Sequence, residues 1–282
     1  VKTFKALVLT TAFSVVTGGS SWFSGTDPHV GLPLLRLSVA GAATVRTAGK
    51  LIAYDPSGDG RAIEVFGDLA TAKHIAVLVP GTGWDLEKLL SGSRNADPVQ
   101  GAQTLRTEMD DLDPAAETAV VVWLGYDAPE EIDRRAFRSE RAIEGARELV
   151  SFVRTLPAAA QITLVGHSYG TVVIGRAAAE LPQVSDIVAL ASPGMDVGTA
   201  ADLSARARIW AARAVDDPIE LTPHLRVAGF GHETDPVAPE FGARVFRTGP
   251  IHGHGDYYLP GTECVANLAR IILGRSAEVT LS

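Results

Sequence analysis

Cysteine is almost missing from this chain of 282 residues, with Cys264 the only one. A lone thiol excludes an internal disulfide and a metal cluster built on several thiolates. Its plain role is that of a small hydrophobe packed under a helix. Positive charge is also scarce: 25 Lys and Arg stand against 33 Asp and Glu, a net charge of −8. That balance argues against binding a nucleic-acid backbone, which rests on cations that displace phosphate counterions. No segment repeats at a fixed period, and no low-complexity run interrupts the chain. A comfortable membrane span is missing too, because the apolar stretch from Ala6 to Val16, behind Lys2 and Lys5, is too short for one. The stretch resembles a secretory signal, with Ser20 and Gly25 as approximate cleavage positions. Residues 1–25 thus read as a signal peptide of an exported protein or as an N-terminal helix of a cytoplasmic one.

What is present, over 26–282, is enough for a single α/β domain with a full core. Short β-branched runs alternate with helical patterns: HIAVLV from 74, AVVVWL from 119, ITLV from 162, DIVALA from 186, RIWAARA from 208 and ARVFRT from 243. The alternation predicts a mostly parallel central sheet with helices on both faces. Asp97-Pro98 supplies a cap and first turn for a helix with Val99, Ala102, Leu105 and Met109 inward. Ala142, Ala146, Leu149, Val150 and Val153 mark a second helix, and Val265, Leu268, Ala269 and Ile272 mark a last one that starts near Thr262.

Between the strand ITLV and an alanine-rich helix stands GHSYG, residues 166–170. Ordinary strand-to-helix loops take several residues. A connection this tight, with Gly166 and Gly170 around Ser168, fits a nucleophile elbow, which holds a serine hydroxyl exposed above the sheet edge. A serine is a weak nucleophile unless a base, an acid that orients the base and an oxyanion site complete it. The order serine, acid, histidine is met: VDDPIEL offers Asp216 and Asp217 after one strand, and GPIHGHGDYY offers His252 and His254 after the next. His167 reads as a neighbour whose ring points elsewhere. The backbone N–H groups of Tyr169 and of Thr82, in the glycine-rich PGTGWD loop, are the expected oxyanion donors.

Two metal patterns compete and are set aside. HGHGD has the form His-x-His-x-Asp, but Tyr257 follows and only a terminal helix remains to supply ligands. DPSGDG from 55 would need glutamate at the twelfth position of a calcium loop, where Phe66 stands, so it reads as a polar turn. His29, His74, His224 and His232 read as structural.

DPSGDGRAIEVFGDLATAKHIAVLVPGTGWDL, WLGYDAP, GHSYGT, ASPGMDV, DPI, TDPVAPEFGA and HGDYY together span roughly residues 50 to 274. Through these tracts the chain resembles the α/β-hydrolases, and within them an actinobacterial group long classed as a domain of unknown function. The resemblance implies the α/β-hydrolase fold, with Ser168 as nucleophile. It places the histidine at HGDYY, hence His254 over His252, and the acid directly before Pro-Ile, hence Asp217 over Asp216. Gly255 stands where the group often has serine.

The expected function is metal-independent cleavage of a small carboxylic ester, with no cofactor, no nucleic acid and no obligatory protein partner. Thioesterase or acyltransferase chemistry on the same triad, or a catalytically silent binding protein of the same fold, are the alternatives. A histidine base must be neutral to act, so activity should rise with pH through a histidine titration, ordinarily at about 6.5. GMDVGTAADL and HLRVAGFGHETDPVAPEF are the expected lid or specificity segments, Trp84, Phe230 and Phe241 are candidate acyl-site residues, and soluble short-chain esters are the expected substrates.

Overall fold

The computed structural model describes residues 48–92, 97–132, 135–204, 206–224 and 229–282. The signal-or-helix reading of 1–25, and His29, lie outside them. The described chain opens with two antiparallel strands, β1 (Lys50–Asp55) and β2 (Arg61–Gly67). DPSGDG is the polar turn between them: Ser57 N donates to Asp55 Oδ1 (2.9 Å), and Gly58 and Gly60 take positive φ. The strands on either side of this turn were not among the predicted ones.

The remaining elements follow in alternation. They are β3 (His74–Val79), α1 (Leu86–Ser91), α2 (Pro98–Leu112), β4 (Thr118–Leu124), α3 (Glu140–Val153), β5 (Gln161–His167), α4 (Gly170–Ala177) and β6 (Val184–Leu190). After them come β7 (Gly194–Val197), α5 (Ala200–Leu203), β8 (Arg208–Ala212), β9 (His232–Glu233), β10 (Arg244–Val245) and α6 (Glu263–Ile272). Eight strands form one sheet in the order β1-β2-β4-β3-β5-β6-β8-β10, and β7 pairs with β9 beside it. β2 runs antiparallel to β4, and every pairing from β4 to β10 is parallel.

Strand alternation explains the layers. Ile75, Val77 and Val79 of β3 enter one apolar cluster with α3 and α4, while Ala76 and Leu78 enter a second with α2 and α6. Successive side chains of a strand point to opposite faces, so a strand apolar at every position needs cover on both. On one side lie Ala142, Ala146, Leu149 and Val153 of α3, and on the other Ala102, Leu105 and Met109 of α2 with Leu268 and Ile272 of α6. Each fully buried Leu or Ile here contributes about 1.5–3 kcal/mol. Cys264 is buried in α6 as expected, and Asp97 caps α2 by accepting from Val99 N (2.8 Å). The β10 edge is short and covered: Phe246 bridges antiparallel to Leu281, and Ser282 N donates to Val245 O (3.0 Å).

The parallel strands β3, β5, β6 and β8 all end on one rim. The connections that leave this rim carry Thr82, Ser168, Pro193 and Asp217, and the segment after β10 returns His254 to it.

Candidate active site

The turn from β5 into α4 has the strain expected of an elbow, because Ser168 sits at φ +54°. A non-glycine residue there costs on the order of 1–3 kcal/mol and persists only when its surroundings hold it. They do: Ser168 N donates to Leu190 O (3.0 Å), and Thr171 N and Oγ1 donate to Ser168 O (2.9 and 2.7 Å). The two glycines are required by contact. A Cβ on Gly166 would lie 2.8 Å from Thr171 N, and one on Gly170 would lie 2.1 Å from Val79 O.

The loop after β3 presses against this turn. A Cβ on Gly81 would lie 2.7 Å from Ser168 Cβ and 2.9 Å from Tyr169 N. Tyr126 Oη donates to Pro80 O (2.7 Å) and Gly83 N to Pro129 O (2.7 Å), which anchors the loop to the segment after β4. Among the described residues the backbone N–H groups of Thr82 and Tyr169 donate to no protein acceptor. Two donors beside one serine hydroxyl, free of other work, are what an oxyanion needs.

Asp217 follows β8, and its side chain is wholly buried. Oδ1 accepts from His254 Nδ1 (2.8 Å) and Ile219 N (2.9 Å), and Oδ2 accepts from Tyr257 Oη (2.7 Å). Tyr257 Oη in turn accepts from Ala214 N (2.8 Å). Burial pushes the carboxyl upward, but the hydrogen bonds from His254 and Tyr257 outweigh it and hold Asp217 below the ordinary carboxylate value. A carboxylate only accepts, so a proton sits on His254 Nδ1, which leaves Nε2 as the nitrogen that carries the lone pair in the neutral ring. His254 and Ser168 line the same cavity, together with Thr82.

The neighbouring pair, with the acid one residue earlier and the histidine two, repeats this contact out in solvent. His252 Nδ1 meets Asp216 Oδ2 (3.1 Å), and Gly253 N donates to Asp216 Oδ1 (2.8 Å). With His252 73% and Asp216 57% exposed, neither borders the Ser168 cavity. HGHGD therefore does not converge on one point: its two imidazoles turn to separate carboxylates, and Asp256 Oδ2 accepts from His252 N (3.3 Å).

His167 does point away from the hydroxyl, as expected, but toward the histidine turn. Its Nε2 donates to His254 O (2.7 Å), with the two rings 4.8 Å apart. Burial, with the nearby His254, pushes His167 down to about 3, so the ring is neutral and donates through Nε2. Local sequence carries no signal for this contact, since the partner lies 87 residues away.

The cavity beside Ser168 measures about 270 Å³ and is walled by Ile132, Ala136, Phe137, Pro193, Ile219 and Pro223. A second lobe of about 440 Å³ meets it at Thr82, Ile132, Ser168 and His254 and is lined by Trp84, Glu130, Glu131 and Gly255. A larger cavity of about 530 Å³, near Arg213 and Thr248, does not reach Ser168.

The walls correct the predicted lid. GMDVGTAADL forms β7 and α5, which pack beside α4 and β9 and do not cover the serine. In the second segment Leu225 to Ala228 lie outside the described residues, and His232 supports the wall from behind. Its ring bridges Asp196 Oδ1 (2.8 Å) and Ala136 O (2.7 Å), while Arg176 Nε donates to Asp196 Oδ2 (2.7 Å). Phe241 is core and Phe230 lies under the Arg138 guanidinium, so of the three aromatic candidates Trp84 alone borders the site. The walls come from the segments after β4, β6 and β8, and their strand-end position is the signal that could have located them.

Sheet order and layers together define the α/β-hydrolase fold, a mostly parallel sheet covered on both faces. The chain belongs to the alpha/beta hydrolase family, whose model matches residues 55–227. It is 32% identical over 260 residues to an uncharacterized protein of Mycobacterium tuberculosis, covering 79% of this chain and 39% of that protein. The chain thus spans well under half the length of that relative. An uncharacterized Mycobacterium bovis protein is 30% identical over 196 residues, covering 64% of this chain and 70% of that one. Among solved structures it is similar to esterase PE8, at 17% identity and TM-score 0.48, covering 76% of this chain and 98% of that one. It is also similar to an alpha-beta serine hydrolase homologue from Coxiella burnetii, at 16% identity and TM-score 0.47, covering 83% and 99%.

Proposed function

We propose that this chain is a serine hydrolase that cleaves carboxylic esters through an acyl-enzyme, with protein groups alone carrying the chemistry. One observation carries the reading: the hydrogen bond from His254 Nδ1 to buried Asp217, at the rim of the cavity that also holds Ser168. Ser168 Oγ attacks the acyl carbon while His254 Nε2 takes its proton. Asp217 orients the ring and stabilises the imidazolium that forms. The N–H groups of Thr82 and Tyr169 hold the oxyanion, a contribution of about 10² to 10³ in rate per donor. His254 then passes the proton to the leaving alcohol. Water, activated by the same nitrogen, releases the acid and restores the serine.

A fluorophosphonate probe tests this directly. The wild-type chain should be labelled and a folded Ser168→Ala variant should not, with ester hydrolysis lost in parallel. A folded wild type that stays unlabelled and inert would instead favour a silent binding protein.

A further inference from the structure

The two lobes that meet at Ser168 differ in chemistry, and the difference specifies both halves of the substrate. We propose that the site takes esters of medium-length aliphatic acids with uncharged or cationic alcohols, and that it excludes thioesters of coenzyme A. This rests on the esterase reading of Ser168.

The smaller lobe has no charged side chain on its wall among the described residues, and apart from Thr82, Ser168, Thr222 and His254 its lining is apolar or aromatic. A sugar or amino acid placed there would bury polar groups without partners, whereas an alkyl chain loses nothing. At the ~30 Å³ that one water occupies in the liquid, its volume accommodates about nine groups of methylene size. Ile132 and Leu221 line this lobe and are 72% and 85% exposed, which extends the apolar track outward from the cavity. The lobe therefore fits longer acids than the short ones expected from sequence.

Both lobes touch His254, but only the larger one continues along the histidine turn to Gly255 and His167, and the leaving group is placed there. Glu130 and Glu131 line it, and among the described residues no Lys or Arg does. Glu130 is paired with Arg135 and Arg141, and Arg141 is further committed to Asp127, while Glu131 makes no ion pair. Coenzyme A would bring its phosphates to a wall with carboxylates and, among the described residues, no Lys or Arg, on a chain of net charge −8. Phosphate recognition needs the reverse arrangement.

The test uses p-nitrophenyl acetate, butyrate, hexanoate and octanoate, then octanoyl-coenzyme A against octanoyl-N-acetylcysteamine, the same thioester without phosphates. kcat/KM should rise about fourfold per added methylene as the lobe fills. At low salt the uncharged thioester should be cleaved at least about tenfold faster than the coenzyme A ester. Glu131→Lys should narrow that gap, and Leu221→Asp, at an exposed position, should lower the octanoate-to-acetate ratio. A rate that peaks at acetate, or equal turnover of the two thioesters, overturns the proposal. If Ser168 takes the fluorophosphonate in those experiments, only this inference fails; if it does not, the esterase reading fails with it.

Discussion

Asp217 shares two oxygens among three donors, from His254, Ile219 and Tyr257, and the first of these sets the tautomer of the base. Asp217→Asn can turn its amide nitrogen toward His254 Nδ1, which would move the imidazole proton to Nε2 and leave no lone pair for Ser168. The expected outcome is a fall in kcat of about 10⁴ with KM little changed, measured on a p-nitrophenyl ester with the fold checked by circular dichroism. An equal rate would remove Asp217 from the proposed triad. Ser168, Asp217 and His254 were legible as candidates because each follows a recognisable strand in the order the proposed triad requires. Asp216 and Asp217 could not be separated that way: both follow the same strand, and only the fold buries one and exposes the other.

At the scale of elements, the elbow works because β5 and α4 meet with no room to spare. Gly170→Ala would place a methyl 2.1 Å from the carbonyl of Val79, a backbone atom of β3 that cannot swing aside. Stability should fall by about 1–3 kcal/mol, read as the urea midpoint. Activity should drop by about 10²-fold in the folded fraction, because α4 must move and carries Ser168 with it. A variant with unchanged rate and midpoint would show that the turn tolerates a side chain. The parallel strands were readable from their continuous apolar runs. β1 and β2 were not, because KLIAYD is only partly buried and RAIEVFG carries Glu64 in its centre, so neither forms a long apolar run. Glu64 is buried nonetheless and accepts from Gly49 N (2.5 Å), a partner no local pattern announces. The cavity walls were hidden for a related reason, since Ala136, Pro193 and Pro223 acquire a common face only when separate strand ends are brought together.

For the whole molecule, acid sensitivity follows from groups that folding holds in one charge state. Burial and the nearby His254 keep His167 down at about 3, against about 6.5 for a free histidine. The unfolded chain therefore binds a proton that the native chain refuses. The stability from neutral His167 is complete above about pH 6.5 and is lost as pH falls toward the folded value. Asp196 adds a second loss at lower pH. Burial raises it, but the hydrogen bond from His232 and the charge of Arg176 bring it to about 2, below the ordinary ~3.9. The urea midpoint should decline from neutral pH downward, and His167→Gln, which keeps a donor for the His254 carbonyl, should flatten the upper part of that decline. A wild-type midpoint constant between pH ~7 and ~4 would contradict the linkage.

The covered strand end has a consequence for how copies of this chain meet. Along β10 the hydrogen-bonding positions that an incoming strand would occupy are already taken by Leu281 and Ser282 of the same chain. Association by extending the sheet into a neighbour is blocked on that flank, so the chain's own last residues act as a seal on the two-residue strand.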